Sequence, residues 1–209
     1  MKREYLYIAA ALIPLVLLVM ALLTIDEPSY QVVEETEGFE LRDYAPYAVA
    51  ETRVDGGFSE SGDQAFDLLV DYVQGNNVGG RVIPMMAPVR QQPAEPGDQG
   101  LARGAAADGE SGGWLFQFAL PKEYQLSMLP TPLDERVSLR LLEPGLVAAL
   151  RYGGGWGEEH YRARERELLE AVRAAGLTTV GTPSFARYNA AFIPWFLRRN
   201  EVLVGVDRR

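Results

Sequence analysis

The chain has 209 residues and a formal net charge of −9, with one histidine and no cysteine. That length fits one ordinary domain plus an appendage. Without thiols there are no disulfides, thiolate metal sites or cysteine-linked lipid anchors, and without a basic stripe the acidic balance argues against nucleic acid as a partner.

The appendage comes first. "YLYIAAALIPLVLLVMALLTI", Tyr5 to Ile25, carries no charge over 21 residues. As a helix rising about 1.5 Å per residue it would be roughly 31 Å long, enough to cross a hydrocarbon core. Pro14 near its middle is tolerated in such a helix, with a kink. Lys2 and Arg3 precede the segment and Asp26 and Glu27 follow it. The positive-inside bias then leaves the N-terminus in the cytoplasm. A cleaved signal peptide is the rival reading, but its apolar run is normally shorter, and no small-x-small site follows Ile25. The expectation is an uncleaved anchor over residues 1–28 and a domain over 29–209, in the periplasm or outside.

"YQVVEETEGFELRDY" holds two alternating stretches around Glu37-Gly38, the pattern of a hairpin. An internal repeat follows: "VAETRVDGGF", Val49 to Phe58, and "VAALRYGGGW", Val147 to Trp156, share Val, Ala, Arg, Gly, Gly and an aromatic at one offset. After the first comes a helical pattern from near Ser61, with Ala65, Leu68, Leu69, Tyr72 and Val73 on one face. Ser61 and Gln64 have capping-box spacing, and "GNN" closes the helix. After the second comes a helix with Tyr161, Leu168, Leu169 and Val172 inside, Glu158 and Glu159 at its positive end and Gly176 past its last turn.

Each helix leads into a proline-started strand, "RVIPMMAPV" and "TVGTPSFARYN", and then a short apolar strand, "WLFQFAL" and "EVLVGV". Between the strands of the first half, Arg90 to Gly113 is rich in Gly, Ala, Pro and Asp with no apolar period, and reads as a long mobile loop. Each half is thus strand, helix, strand, strand, with one helix face to bury. The consistent fold class is α+β: a distorted antiparallel β-barrel with two helices, duplicated about a pseudo-twofold.

Several blocks now stand in a familiar order: "VVEETEGFELRDYAPYAVAET", "LLVDYVQGNN", "IPMMAPV", "FALPKEY", "LPTPLDERV" and "RYNAAFIPWFLRRNEV". From about Tyr30 to Val206 the chain resembles the SOUL haem-binding proteins. The resemblance implies a distorted barrel built from a duplicated unit, and non-catalytic binding of haem or free porphyrin. It also implies a tetrapyrrole lying along the first helix with basic groups near its propionates. The stripe matching that helix face is Asp63, Phe66, Val70 and Asp71; Phe66 and Val70 offer an apolar platform, while the aspartates have the wrong sign for propionates. Effector-binding domains of bacterial regulators share the duplicated plan, which keeps other small ligands open.

Met85 and Met86 are soft groups held between Pro84 and Pro88. On a strand they alternate, so at most one would touch a ligand. Arg198 and Arg199 in "RRNEV" read either as a propionate clamp or as a brace in which Glu201 pairs with an arginine and Asn200 caps a turn. "AFIPWFLRR" is aromatic enough to sit at a membrane surface or to close the pocket. His160, among charged neighbours in "EEHYRARE", reads as a solvated helix-face residue, which leaves metal clusters and Ser/His/Asp sets without their parts and points away from an enzyme. Haem or free porphyrin is therefore expected as a ligand and not as an obligate cofactor, with no axial ligand assigned. The alternative is an interaction or structural module with an unspecified protein partner and no tetrapyrrole.

Overall fold

The computed structural model describes residues 26–95 and 113–207. The expected anchor helix over residues 5–25 lies outside them, as do residues 96–112 of the expected loop. Among the described residues no helix is long and apolar enough to cross a membrane.

In chain order the elements are β1 (Tyr30–Glu35), β2 (Glu40–Tyr44), β3 (Tyr47–Val54), α1 (Glu60–Val73), β4 (Val89–Pro93), β5 (Trp114–Ala119), β6 (Val137–Leu142), β7 (Gly145–Tyr152), α2 (Glu158–Ala174), β8 (Thr178–Arg187) and β9 (Asn200–Asp207). The strands form one nine-stranded sheet in the order β1-β2-β7-β9-β8-β4-β5-β3-β6, and every neighbouring pair is antiparallel. The edges β1 and β6 do not meet, so the expected barrel is corrected to a curled half-barrel. The Glu37-Gly38 hairpin forms between β1 and β2.

The repeat shows in the ladders. Val49 faces Ala119 and Val54 faces Trp114 in the first half, while Val147 faces Gly205 and Tyr152 faces Asn200 in the second. The offset that carries Val49 to Val147 also carries Leu41, Arg42 and Pro46 to Leu139, Arg140 and Pro144. Each unit therefore has a leading strand beyond the expected strand-helix-strand-strand. These leading strands are exchanged: β2 pairs with β7, and β6 pairs with β3. The halves meet directly where β4 pairs with β8 over Val89–Arg187, Arg90–Ala186 and Gln91–Phe185.

Both helices end in the same way. Gly75 and Gly176 take positive φ. Their amides bond to Tyr72 and Arg173, and the next amides, of Asn76 and Leu177, reach Asp71 and Val172, the paired bonds of a Schellman closure. Ser61 is not the expected cap. It lies inside α1, and its hydroxyl donates to the Gly57 carbonyl at 2.8 Å, while Ser59 precedes the helix with no side-chain cap bond. The buried faces of α1 (Ala65, Leu69, Tyr72, Val73) and α2 (Tyr161, Leu168, Val172) share one core with the sheet. At its centre the rings of Phe58, Tyr161 and Phe185 stack, with centroids 5.4 to 6.0 Å apart.

Two segments depart from expectation. "RVIPMMAPV" does not form a strand before Val89; residues 81–88 are irregular. The expected loop from Arg90 instead continues β4 to Pro93, because the Gln91 side chain is fully buried there and its Nε2 donates to the Phe58 carbonyl at 2.8 Å.

A second polar core tethers β2 to β9. Arg42 donates to both oxygens of Glu201 at 2.7 and 3.0 Å. Glu201 also accepts from Tyr188 at 2.7 Å and from Arg199 at 3.0 Å. Both Arg42 and Glu201 are essentially inaccessible. Burial pushes the Glu201 carboxyl up, but the Arg42 hydrogen bonds and the surrounding guanidiniums prevail and hold it below its ordinary value of 4.5. A carboxyl depressed in the fold stabilises it above the unfolded value and loses that contribution as the pH falls. Acid unfolding of the full chain should therefore begin below about pH 4.5. Glu201→Gln should lower stability near neutrality by about 3–5 kcal/mol, by leaving the buried Arg42 guanidinium with only the partly exposed Glu40 as counter-ion, and flatten the acid limb. Chemical denaturation across pH checks both outcomes.

Candidate functional site

The ladder between the two halves stops at the Val89–Arg187 pair. Past it the irregular segment before β4 and the segment after β8 form two walls of a cleft of about 390 Å³. One wall is Met85, Met86, Ala87 and Val89; the other runs from Arg187 to Ala191. The floor comes from the start of α1, where Ser59, Gly62, Asp63 and Phe66 fall on one face at three- and four-residue spacing. Phe58 and Trp156, the aromatic residues that end the two repeat motifs, complete it. The volume lies in the roughly 300–1,000 Å³ range of small-molecule sites.

Arg187 is the cleft's principal polar feature. Its Nη2 donates to Gln91 Oε1 at 3.2 Å. Its guanidinium lies 5.5 Å from the ring centroids of Trp156 and Phe185 and 6.0 Å from that of Phe116. Its buried Nε has no hydrogen-bond partner. Among the described residues no carboxylate forms an ion pair with it. Burial pulls its pKa down to about 10, against the opposing pull of Asp63 and Tyr152. The group remains a cation at neutral pH, held in aromatic surroundings, with Asp63 of the cleft floor acting on it electrostatically but, among the described residues, no carboxylate ion-paired to it.

The expected site residues divide. Phe66, Met85 and Met86 meet in the cleft; Phe66 is 43% exposed and packs edge-on against Phe118 at 5.6 Å. Strand alternation does not separate the methionines, because their backbone is irregular, so both line the cleft, Met85 near the surface and Met86 buried. Val70 packs against the core instead. Arg198 and Arg199 act behind the cleft. Arg198 lies 4.2 Å over Trp156 and donates to the carbonyls of Ile193 and Ala191, both at 2.7 Å. Arg199 stacks on Tyr188 at 3.7 Å and bonds to Glu201 and Glu27. Asn200 Oδ1 accepts from Trp156 Nε1 at 2.9 Å while its Nδ2 donates to the Gly154 carbonyl at 3.0 Å. His160 does not line the cleft, and it is not solvated as expected; it is half-buried and stacked on Tyr152 at 5.2 Å.

The SOUL heme-binding protein family matches residues 25–205. The chain belongs to that family. The SOUL domain also resembles solved structures in fold. The EcmrR C-terminal domain superposes with a TM-score of 0.59 at 11% identity, covering 86% of this chain and 99% of that one. An uncharacterized conserved protein from Listeria innocua gives 0.58 at 12%, covering 82% and 93%. A hydrolase from the same organism gives 0.53 at 9%, covering 84% and 94%. At such identities the likeness concerns fold alone. No curated protein matches the chain.

The SOUL domain's cleft suits part of a tetrapyrrole. Phe66, Met85, Met86 and Val89 offer apolar contact to a macrocycle, and Arg187 offers a donor to a propionate. For iron the lining offers the two thioethers. The Tyr188 hydroxyl is committed to Glu201, and burial beside that carboxylate keeps its pKa well above 10.0.

Sequence reasoning missed Arg187, Trp156 and Gly62. The repeat could have flagged Trp156 as the counterpart of Phe58. Asn200→Ala should leave the Trp156 indole without an acceptor, costing about 1–3 kcal/mol and shifting the tryptophan emission; thermal melting followed by fluorescence reads both.

Proposed function

We propose that the cleft binds a flat, apolar, acid-bearing ligand of the tetrapyrrole class without catalysing a reaction on it, in a domain tethered to a membrane by residues 5–25 with the domain in the periplasm or outside. The observation that carries the binding reading is Arg187. A guanidinium placed among rings without a carboxylate partner costs desolvation free energy, and a ligand carboxylate would offset that cost through a charge-assisted bond. Family membership supports the tetrapyrrole, and Phe66 with the two methionines supports its apolar body. The non-catalytic reading is supported by the lining, which holds no histidine to activate Ser59. The tether rests on the uncharged run from Tyr5 to Ile25.

Titration of the full chain in lipid nanodiscs with haemin and with metal-free protoporphyrin tests this, with empty nanodiscs as the blank. Both should bind saturably and with similar affinity, since the lining holds no imidazole for the iron. Phe66→Asp should abolish the absorption shift. Arg187→Met should weaken binding roughly tenfold or more, the equivalent of a charged hydrogen bond of about 1.5–3 kcal/mol. Its cost to thermal stability should stay within about 1–3 kcal/mol, the penalty for leaving the buried Gln91 Oε1 without its donor. Affinities unchanged by both substitutions would refute the site.

A further inference from the structure

Between β8 and β9 the chain makes an outward loop whose tip is almost wholly apolar. Phe192 is 76% exposed, and Trp195, Phe196 and Leu197 are each 64% exposed. The Trp195 and Phe196 rings meet edge to face at 5.6 Å. The tip stands on a built base. Arg198 ties back the carbonyls of Ala191 and Ile193, and the amides of Ile193 and Leu197 bond to Ala190 and Pro194. Four large apolar side chains are thus held out by a braced loop, and an exposed patch of that kind marks an interaction surface.

The start of the described chain lies at the base of the same loop. The Asp26 carbonyl accepts from the Ala87 amide at 2.9 Å, and Glu27 pairs with Arg199 at 2.6 Å. The uncharged run ending at Ile25 therefore leaves the domain within one residue of the loop base. It leaves beside the cleft as well, since Ala87 and Ala191 belong to opposite cleft walls. Tryptophan and phenylalanine favour the interfacial layer of a bilayer. Arg198 and Arg199, which directly follow the apolar tip, are engaged with the loop carbonyls, Glu27 and Glu201, and so hold the tip in place.

We propose that residues 192–197 insert into the interface of the bilayer that holds residues 5–25, so that the cleft opens onto the lipid surface. The proposal rests on the tether and is independent of the ligand's identity. An apolar, acid-bearing ligand partitioned at the headgroups would then pass between bilayer and cleft without crossing open water.

The absence of native cysteine makes a single reporter clean. Phe196→Cys and, separately, Asp207→Cys are labelled with an environment-sensitive fluorophore in the full chain in nanodiscs of mixed zwitterionic and anionic phospholipid. Asp207 ends β9, about 23 Å from its start at about 3.3 Å per residue. Nitroxide carried on shallow lipid chain positions should quench the label at position 196 at least twofold and leave that at 207 unchanged. Equal quenching at both positions, or none at 196 in chains that stay with the nanodisc, would overturn the loop insertion and leave the tether standing. Chains that fail to stay with the nanodisc would overturn tether and loop together. Self-quenching of the label at 196 between chains would overturn the proposal in favour of self-association. Porphyrin titration of the same samples reads the cleft separately, so failure of the loop and failure of the ligand reading are distinguishable.

Discussion

Nine strands become one sheet because β4 and β8 pair over three residue positions. Each repeat makes a three-stranded ladder of its own, β4-β5-β3 and β8-β9-β7, and each lends its leading strand to the other. Only at the β4–β8 seam do the two ladders touch edge to edge. Gln91 and Phe185 form its pair farthest from the cleft: they face equivalent partners, Phe116 and Val202, and they face each other. A pseudo-twofold passing there brings both halves' aromatics to one place, with Phe58 and Trp156 at the same cleft. The site is the point where the seam runs out.

The arrangement separates two kinds of enclosed arginine, Arg42 fully buried and Arg187 half-buried. Arg42 has a bidentate carboxylate, a second carboxylate in Glu40 and the face of Tyr30. Its charge is fully answered, and it joins β2 to β9. Arg187 has one amide and three rings. The first pattern is what a fold needs for a unique register; the second leaves a charge for something else to answer. Arg198 and Arg199 belong with the first, because their donors hold the loop, Glu201 and Glu27.

The sequence showed its helices, the repeat and the first hairpin, because those are written in local periodicity and short spacings. The exchange of β2 and β6 was not legible. Pairing of Arg42 with Val147 is a long-range register that no local pattern records, though the recurrence of Leu-Arg at Leu41-Arg42 and Leu139-Arg140 hinted at a longer unit. The methionines were misread because proline suggested a strand, whereas the buried side chains of Ile83 and Met86 fix an irregular path. Arg187 was invisible for a simpler reason. "SFARYN" contains an ordinary arginine, and only the three-dimensional surroundings reveal that, among the described residues, no carboxylate forms an ion pair with it.

If the unanswered charge at Arg187 exists to receive an acid group, that guanidinium should distinguish an acid from its ester. Nitrogen-15 NMR of the arginine Nε–H signals in the full chain reads this directly, with the Arg187 signal identified by its loss in the Arg187→Met variant. Protoporphyrin with free propionates should shift that signal while its dimethyl ester leaves it in place. An equal shift with both, or none with either, would contradict the assignment of Arg187 as the ligand's counter-ion.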